Sequence, residues 1–170
     1  MRKIVIDIET TGQSFEKDKI ISLVAVEIDE GYRLTGNILC SLVNPKHSIP
    51  RQVSIKTGIT QATIQNKPSF SELENSFLSF VDGKDIIVFS ESESLYFIYT
   101  ALGFALPNEI VVLSELAKKK FPKEKCDFFA LLNKFNIDNL DTMLCLRPLS
   151  KCYMLAQMYK NLTAKGDKDE

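Results

Sequence analysis

Tryptophan is absent from the 170 residues, histidine occurs once, as His47, and the four cysteines, Cys40, Cys126, Cys145 and Cys152, form no Cys-x-x-Cys pair. Structural zinc and dithiol redox chemistry need paired or clustered ligands, so both are excluded, and lone cysteines fit a reducing, cytoplasmic setting in which the thiols are buried. A basic excess is missing as well. Lys+Arg number 21 against 22 Asp+Glu, a formal net charge of -1 at pH 7. A protein that grips nucleic acid by bulk phosphate neutralisation carries many more cations than anions, so any nucleic-acid contact here must be local. No apolar run approaches the ~20 residues that span a bilayer. Residues 1–6 are basic and then apolar, as in a signal peptide, but Asp7 and Glu9 interrupt the pattern, and the start reads as mature sequence. Repeats and low-complexity stretches are also lacking.

What is present is ordinary globular composition, with 45% hydrophobic and 25% charged residues. The length suits one domain that buries roughly 70% of its unfolded surface. We expect that domain over residues 1–163, followed by a flexible charged tail over 164–170. Residues 3–8 are rich in Ile and Val and end at Thr10-Thr11-Gly12, as a strand ends. Residues 19–29 and 32–44 continue a three-strand meander, with Glu30-Gly31 as the hairpin turn. Helical spacing then takes over. Phe70, Leu73, Phe77, Phe80 and Val81 define a helix that Ser69 and Glu72 open as a capping box. Strands over 85–89 and 110–113 alternate with helices over 93–102 and 114–120, the latter capped by Ser114. Helices over 127–135 and 150–162 complete the chain. The order predicts an α/β fold with a mixed sheet, the meander plus two further strands, and helices on both faces.

Asp7 and Glu9 are two residues apart on the first strand, so the period of two turns both carboxylates to one face. Adjacent acids on an apolar strand need solvent or a divalent cation to offset their repulsion. Lys118, Lys119, Lys120, Lys123 and Lys125 form the single basic cluster, either a solvated helix face or a phosphate-contacting patch. The stripe Phe128, Phe129, Leu131, Leu132 and Phe135 has core spacing, as do Tyr153, Ala156 and Tyr159.

At Ile4-Val5-Ile6-Asp7-Ile8-Glu9-Thr10-Thr11-Gly12 the sequence resembles the first motif of the DEDD (DnaQ-like) 3'-5' exonucleases, most of all the proofreading epsilon subunits of bacterial DNA polymerase III. The likeness continues through Arg33-Leu34-Thr35-Gly36-Asn37, Asn44-Pro45, Ile49-Pro50, Thr57-Gly58-Ile59-Thr60, Lys67-Pro68-Ser69-Phe70, Lys119-Lys120-Phe121-Pro122 and Phe135-Asn136-Ile137-Asp138-Asn139. It implies a ribonuclease H-like exonuclease fold. It also implies a site where two divalent ions, Mg2+ or Mn2+, sit about 3.5–4 Å apart and drive hydrolysis of the terminal phosphodiester. By the resemblance Asp7 and Glu9 are catalytic metal ligands, and Thr10, Thr11 and Gly12 contact the terminal nucleotide.

The other family positions are altered. The second-motif Asp falls on Ser94. The last-motif Asp falls on Lys151, and the general-base His falls on Leu146, or on Cys145 if the local gap is placed differently. The only histidine lies elsewhere, in the loop from Pro45 to Pro50. An ammonium at Lys151 stands where a cation ligand belongs and is free to pair with Asp7 or Glu9. Glu91, Glu93, Asp138 and Asp141 are possible replacement acids, although Glu91 and Glu93 also suit a helix start. The expectation is a catalytically impaired exonuclease relative acting as a weak binder of a single-stranded DNA 3' end or other nucleic acid, or as a replication accessory module. The alternatives are an active exonuclease with rearranged ligands and a scaffold for a polymerase or clamp subunit.

Overall fold

The computed structural model describes residues 2–138 and 147–164. Its centre is a five-stranded sheet in the order β3-β2-β1-β4-β5. The strands are β1 (Lys3–Thr10), β2 (Ile20–Ile28), β3 (Leu34–Leu42), β4 (Asp85–Val88) and β5 (Ile110–Val112). β1 pairs antiparallel with β2, and β2 with β3, which is the expected meander. β4 and β5 add in parallel on the other side of β1. The mixed sheet is therefore as the sequence predicts.

Alternation along β1 divides the core. Ile4, Ile6 and Ile8 face α3 (Phe70–Val81) and α4 (Tyr96–Leu102), meeting Phe77, Val81 and Ile98. Val5 faces the opposite way, toward α5 (Leu113–Lys120), α6 (Phe128–Lys134) and α7 (Arg147–Thr163), in a cluster with Leu113, Leu131, Cys152 and Leu155. Helices thus cover both faces. Parallel pairing of β1 with β4 covers only Lys3, Ile4 and Val5, so the carboxyl end of β1, carrying Asp7 and Glu9, runs past the end of its neighbour. Such a crevice beyond the carboxyl ends of parallel strands is where open α/β sheets receive ligands.

The helix starts follow local chemistry, with instructive exceptions. Ser69 and Glu72 form the expected capping box of α3, the Glu72 carboxylate accepting the Ser69 N–H at 2.7 Å. Two short helices, α1 (Arg51–Thr57) and α2 (Gln61–Ile64), fill a region where no helical stripe is legible. Pro50 and a left-handed Gly58 (φ 73°) bound α1, and the Thr60 and Thr63 side chains box α2. The hairpin turn is wider than Glu30-Gly31. Asp29 Oδ1 accepts from the amides of Gly31 (2.8 Å) and Arg33 (2.9 Å), Tyr32 adopts φ 61°, and β3 starts at Leu34. Ser114 does not cap α5, which begins at Leu113 and uses the Ser114 amide to bond Phe89 O at 3.1 Å. A π-helical turn, Glu91–Leu95, precedes α4. Of the expected buried thiols, Cys126 and Cys152 are buried but Cys40 is exposed, because it lies on edge strand β3; Cys145 is outside the described residues.

Candidate active-site cleft

The end of β1 is closed from above by the first turns of α7. Cys152 anchors that helix, its thiol directed at Val5 O (3.7 Å) and Val24 O (3.9 Å), and Leu155, Ala156 and Met158 continue the buried face. Lys151, one residue earlier, is carried to the margin of this packed face. Its Nζ donates to Asp7 Oδ1 at 3.0 Å and lies 5.7 Å from the Phe128 ring centre. The ion pair anticipated for Lys151 is thus formed with Asp7.

Asp7 is 3% exposed, and its Oδ2 is buried with no hydrogen-bond partner among the described residues. Burial raises its pKa to about 6, outweighing the opposing pull of Lys151, while Glu9 and Glu93 push it further upward. Burial works on Lys151 in the other direction, lowering its pKa, but Asp7, Glu9 and Glu93 together hold the ammonium above the ordinary lysine value. Desolvation is the largest single influence on both groups, but on Lys151 the combined pull of the three carboxylates exceeds it. The pair is ionised at neutral pH and the acid is the weaker partner.

A cleft of 740 Å³ opens beside this pair. Glu9, Thr10 and Gly12 line it from β1 and the following loop, Gln52 and Lys56 from α1, and Glu93 from the π-helical turn. Neither α1 residue was identified from sequence, since without a helical stripe nothing marked them; Pro50 and Gly58 were the available signals. The loop after β1 is tied internally. Thr10 Oγ1 donates to Gly12 O at 2.5 Å. Thr11 is 2% exposed, its hydroxyl donating to Asp18 Oδ1 (3.1 Å) and accepting from the Lys19 amide (3.0 Å). Thr10 and Gly12 therefore reach the cleft as the motif suggests, but Thr11 shapes the loop and does not line it. A Cβ on Gly12 would run into the Asp18 carboxylate, so a larger residue there must push that side chain off its partners.

The altered family positions separate in space. Ser94 is 4% exposed and buried in the π-helical turn, whereas its neighbour Glu93 turns into the cleft. Glu91 does not line the cleft and instead receives the Tyr96 hydroxyl at 3.5 Å. Asp138 is exposed and likewise lies outside it. Leu146, Cys145 and Asp141 lie outside the described residues. His47 is exposed, 3.0 Å from Ser48 O, and takes no part. Two of the clustered lysines are engaged within the chain: Lys120 caps the end of α7 through Asn161 O (3.1 Å) and Leu162 O (2.9 Å), and Lys125 pairs with Asp127 at 2.8 Å.

Among the described residues no group of three or more His, Cys, Asp or Glu side chains is placed to hold a metal ion. Two carboxylates with an ammonium on one of them are a poor donor set for a hard divalent ion, which takes several oxygen ligands and gains from net negative charge. The described residues do not fit a two-ion centre.

The exonuclease family model RNase_T matches residues 4–139. Among curated proteins, the DNA polymerase III subunit epsilon of Buchnera aphidicola subsp. Baizongia pistaciae (strain Bp) is 30% identical over 176 residues, covering 96% of this chain and 71% of that protein. The same subunit of Escherichia coli (strain K12) is 27% identical over 175 residues, covering 95% of this chain and 71% of that protein. Two solved structures share the fold. The nuclease domain of 3'hExo, a DEDDh family member bound to rAMP, superposes with a TM-score of 0.79 at 14% identity, covering 96% of this chain and 92% of that one. Exonuclease X in complex with 5' overhanging duplex DNA gives 0.73 at 22% identity, covering 94% of this chain and 89% of that one.

Proposed function

The chain belongs to the DEDD (DnaQ-like) exonuclease family, with an epsilon-like 3'-5' exonuclease domain, and on that premise we propose that it is a catalytically impaired member. In this reading Asp7 and Glu9 are the retained acids, Ser94 and Lys151 are the altered positions, and Lys151 supplies inside the protein the positive charge that metal ions supply in the family. The observation that carries it is the 3.0 Å contact of Lys151 Nζ with Asp7 Oδ1 at the head of the cleft. A fixed ammonium neutralises an acid and can donate hydrogen bonds, but it has no coordination position at which a water is turned into a hydroxide nucleophile. The lack of any histidine besides His47 removes the family's general base, which alone is worth roughly 10²–10⁴-fold in rate.

What remains is a cleft shaped for the 3' end of a nucleic acid. Thr10 and Gly12 on one side and Gln52 and Lys56 on the other are its polar contacts. The protein then serves in the cytoplasm as a weak single-strand binding or replication accessory module, with a replicative polymerase subunit as its protein partner. No described helix is long and apolar enough to cross a membrane. Binding of a single-stranded DNA in the absence of divalent ions, measured by fluorescence anisotropy, tests this reading: affinity unchanged by chelator is expected, and binding that appears only with Mg2+ or Mn2+ contradicts it.

One observation favours a second reading, an active enzyme with rearranged ligands. Glu93 faces the cleft and acts electrostatically on both Asp7 and Lys151. It stands next to Ser94, which occupies the position of the family's second-motif acid. In that reading Asp7, Glu9 and Glu93 would be the acids that hold Mg2+ or Mn2+, and Glu93→Gln should abolish any cleavage that depends on those ions.

A further inference from the structure

At the start of α6 the cleft continues into a second hollow of 530 Å³ that shares Glu9, Lys56, Glu93 and Lys151 with the first. Its wall is aromatic. Phe128 meets Phe89 edge to face at 5.5 Å and 83°, and meets Phe129 at 5.5 Å and 86°. Phe129 lies off the core stripe expected for it: Phe128, Leu131, Leu132 and Phe135 follow the i, i+3, i+4, i+7 face, and Phe129 is rotated about 100° away. It is 63% exposed, while Leu131 and Leu132 are buried. The helix therefore gains little from this ring, which lies edge to face with Phe128 at the rim of the hollow.

We infer that Phe129 is a stacking platform for a nucleobase of the single strand whose 3' end enters the cleft, an assignment that rests on the nucleic-acid reading above. Charge decides what kind of grip is available. Lys56, Lys125 and Lys151 on the hollow are offset by Glu9, Glu93 and Asp127, and Lys125 is already paired with Asp127. Phosphate neutralisation is weak on such a surface, whereas stacking on a π face needs no charge and tolerates any base. The hollow's continuity with the 740 Å³ cleft places that base one or more nucleotides from the terminal one. A peptide partner would instead need charge complementarity, which the three lysines and three acids of the hollow do not offer.

Titrating a fluorescent single-stranded DNA into the wild type and into Phe129→Ala, Phe129→Leu and Phe129→Trp tests the assignment. Phe129→Ala and Phe129→Leu should weaken binding roughly 5- to 100-fold, the range that one lost base stack corresponds to, and Phe129→Trp should retain it. Because the ring is exposed, melting temperatures of all three should stay close to wild type. An oligonucleotide abasic at the stacked position should lose the same factor with wild type and nothing further with Phe129→Ala. Wild-type binding that Phe129→Ala leaves unchanged overturns the platform while the nucleic-acid reading stands. No binding by the wild type overturns both.

Discussion

At the residue scale the molecule turns on one buried acid. Asp7 has a folded pKa of about 6 against an ordinary value of 3.8. The folded state thus binds a proton more tightly than the unfolded chain, so its contribution to stability falls as pH rises from about 4 to about 6. Above that window the ionised acid costs of order 3 kcal/mol relative to the protonated one. Lys151 limits that cost. Lys151→Met should destabilise by about 1–3 kcal/mol at pH 8, discounted for the lysine's partial exposure, and by less at pH 5, where Asp7 takes up its own proton. Asp7→Asn, which mimics the protonated acid, should cost less than Lys151→Met at pH 8. Thermal denaturation of both variants at the two pH values reads this directly, and equal losses at pH 5 and pH 8 would contradict it. A second residue-scale test concerns the loop. Gly12→Ala forces the Asp18 carboxylate off Thr11 and the Ser14 amide. It should cost about 1–3 kcal/mol, and a double-mutant cycle with Asp18→Ala should be markedly non-additive.

The pairing of Lys151 with Asp7 was legible from the sequence because the family's last acid aligned with a lysine. The buried role of Thr11 was not, since the hydrogen bonds that consume its hydroxyl come from Asp18 and Lys19, seven and eight residues away.

At the scale of elements, caps and stripes carried different amounts of information. α3 announced itself by its apolar spacing and by Ser69 with Glu72; removing the cap with Ser69→Ala should cost ~1 kcal/mol, seen as a melting temperature lower by about 2–4 °C. α1 and α2 announced nothing. They are short, are bounded by Pro50 and Gly58, and bury few apolar side chains, Ile64 against Ile21 and Ile59 chief among them. α1 brings Gln52 and Lys56 to the cleft, so one side of its wall was invisible to periodicity. α6 and α7 show the opposite error. Their apolar residues were all assigned to the core, yet Phe129 is 63% and Tyr153 40% exposed, because a cluster of apolar residues in sequence covers more of a helix than the single face that packs.

At the scale of the whole molecule, the fold followed from strand order. Three strands before the first long helix give a meander, and two short apolar strands between helices give parallel additions to its first strand. The resemblance in Arg33-Leu34-Thr35-Gly36-Asn37 also gains a physical cause. Thr35 and Asn37 donate to the buried Glu27 at 2.9 Å each, and Arg2 and Lys84 pair with it, so this carboxylate ties β1, β2 and β3 together at the end of the sheet away from Asp7. Burial tends to raise the Glu27 pKa, but Thr35, Asn37, Arg2 and Lys84 hold it below the usual value. Its stabilising share is present above the unfolded pKa and is lost as pH falls through the folded one. Glu27 and Asp7 therefore pull stability in opposite directions on acidification, and Glu27→Gln should make the protein gain stability, relative to wild type, as pH drops below about 4.

The net charge of -1 gives the chain no basic excess with which to hold a polyanion. The central claim is that an internal lysine has replaced the family's metal ions. Its most direct test is release of the terminal nucleotide from a 3'-labelled single-stranded DNA in Mg2+ or Mn2+, with Asp7→Ala as the control. No release that depends on Asp7 is expected; metal-dependent release that Asp7→Ala abolishes would contradict it.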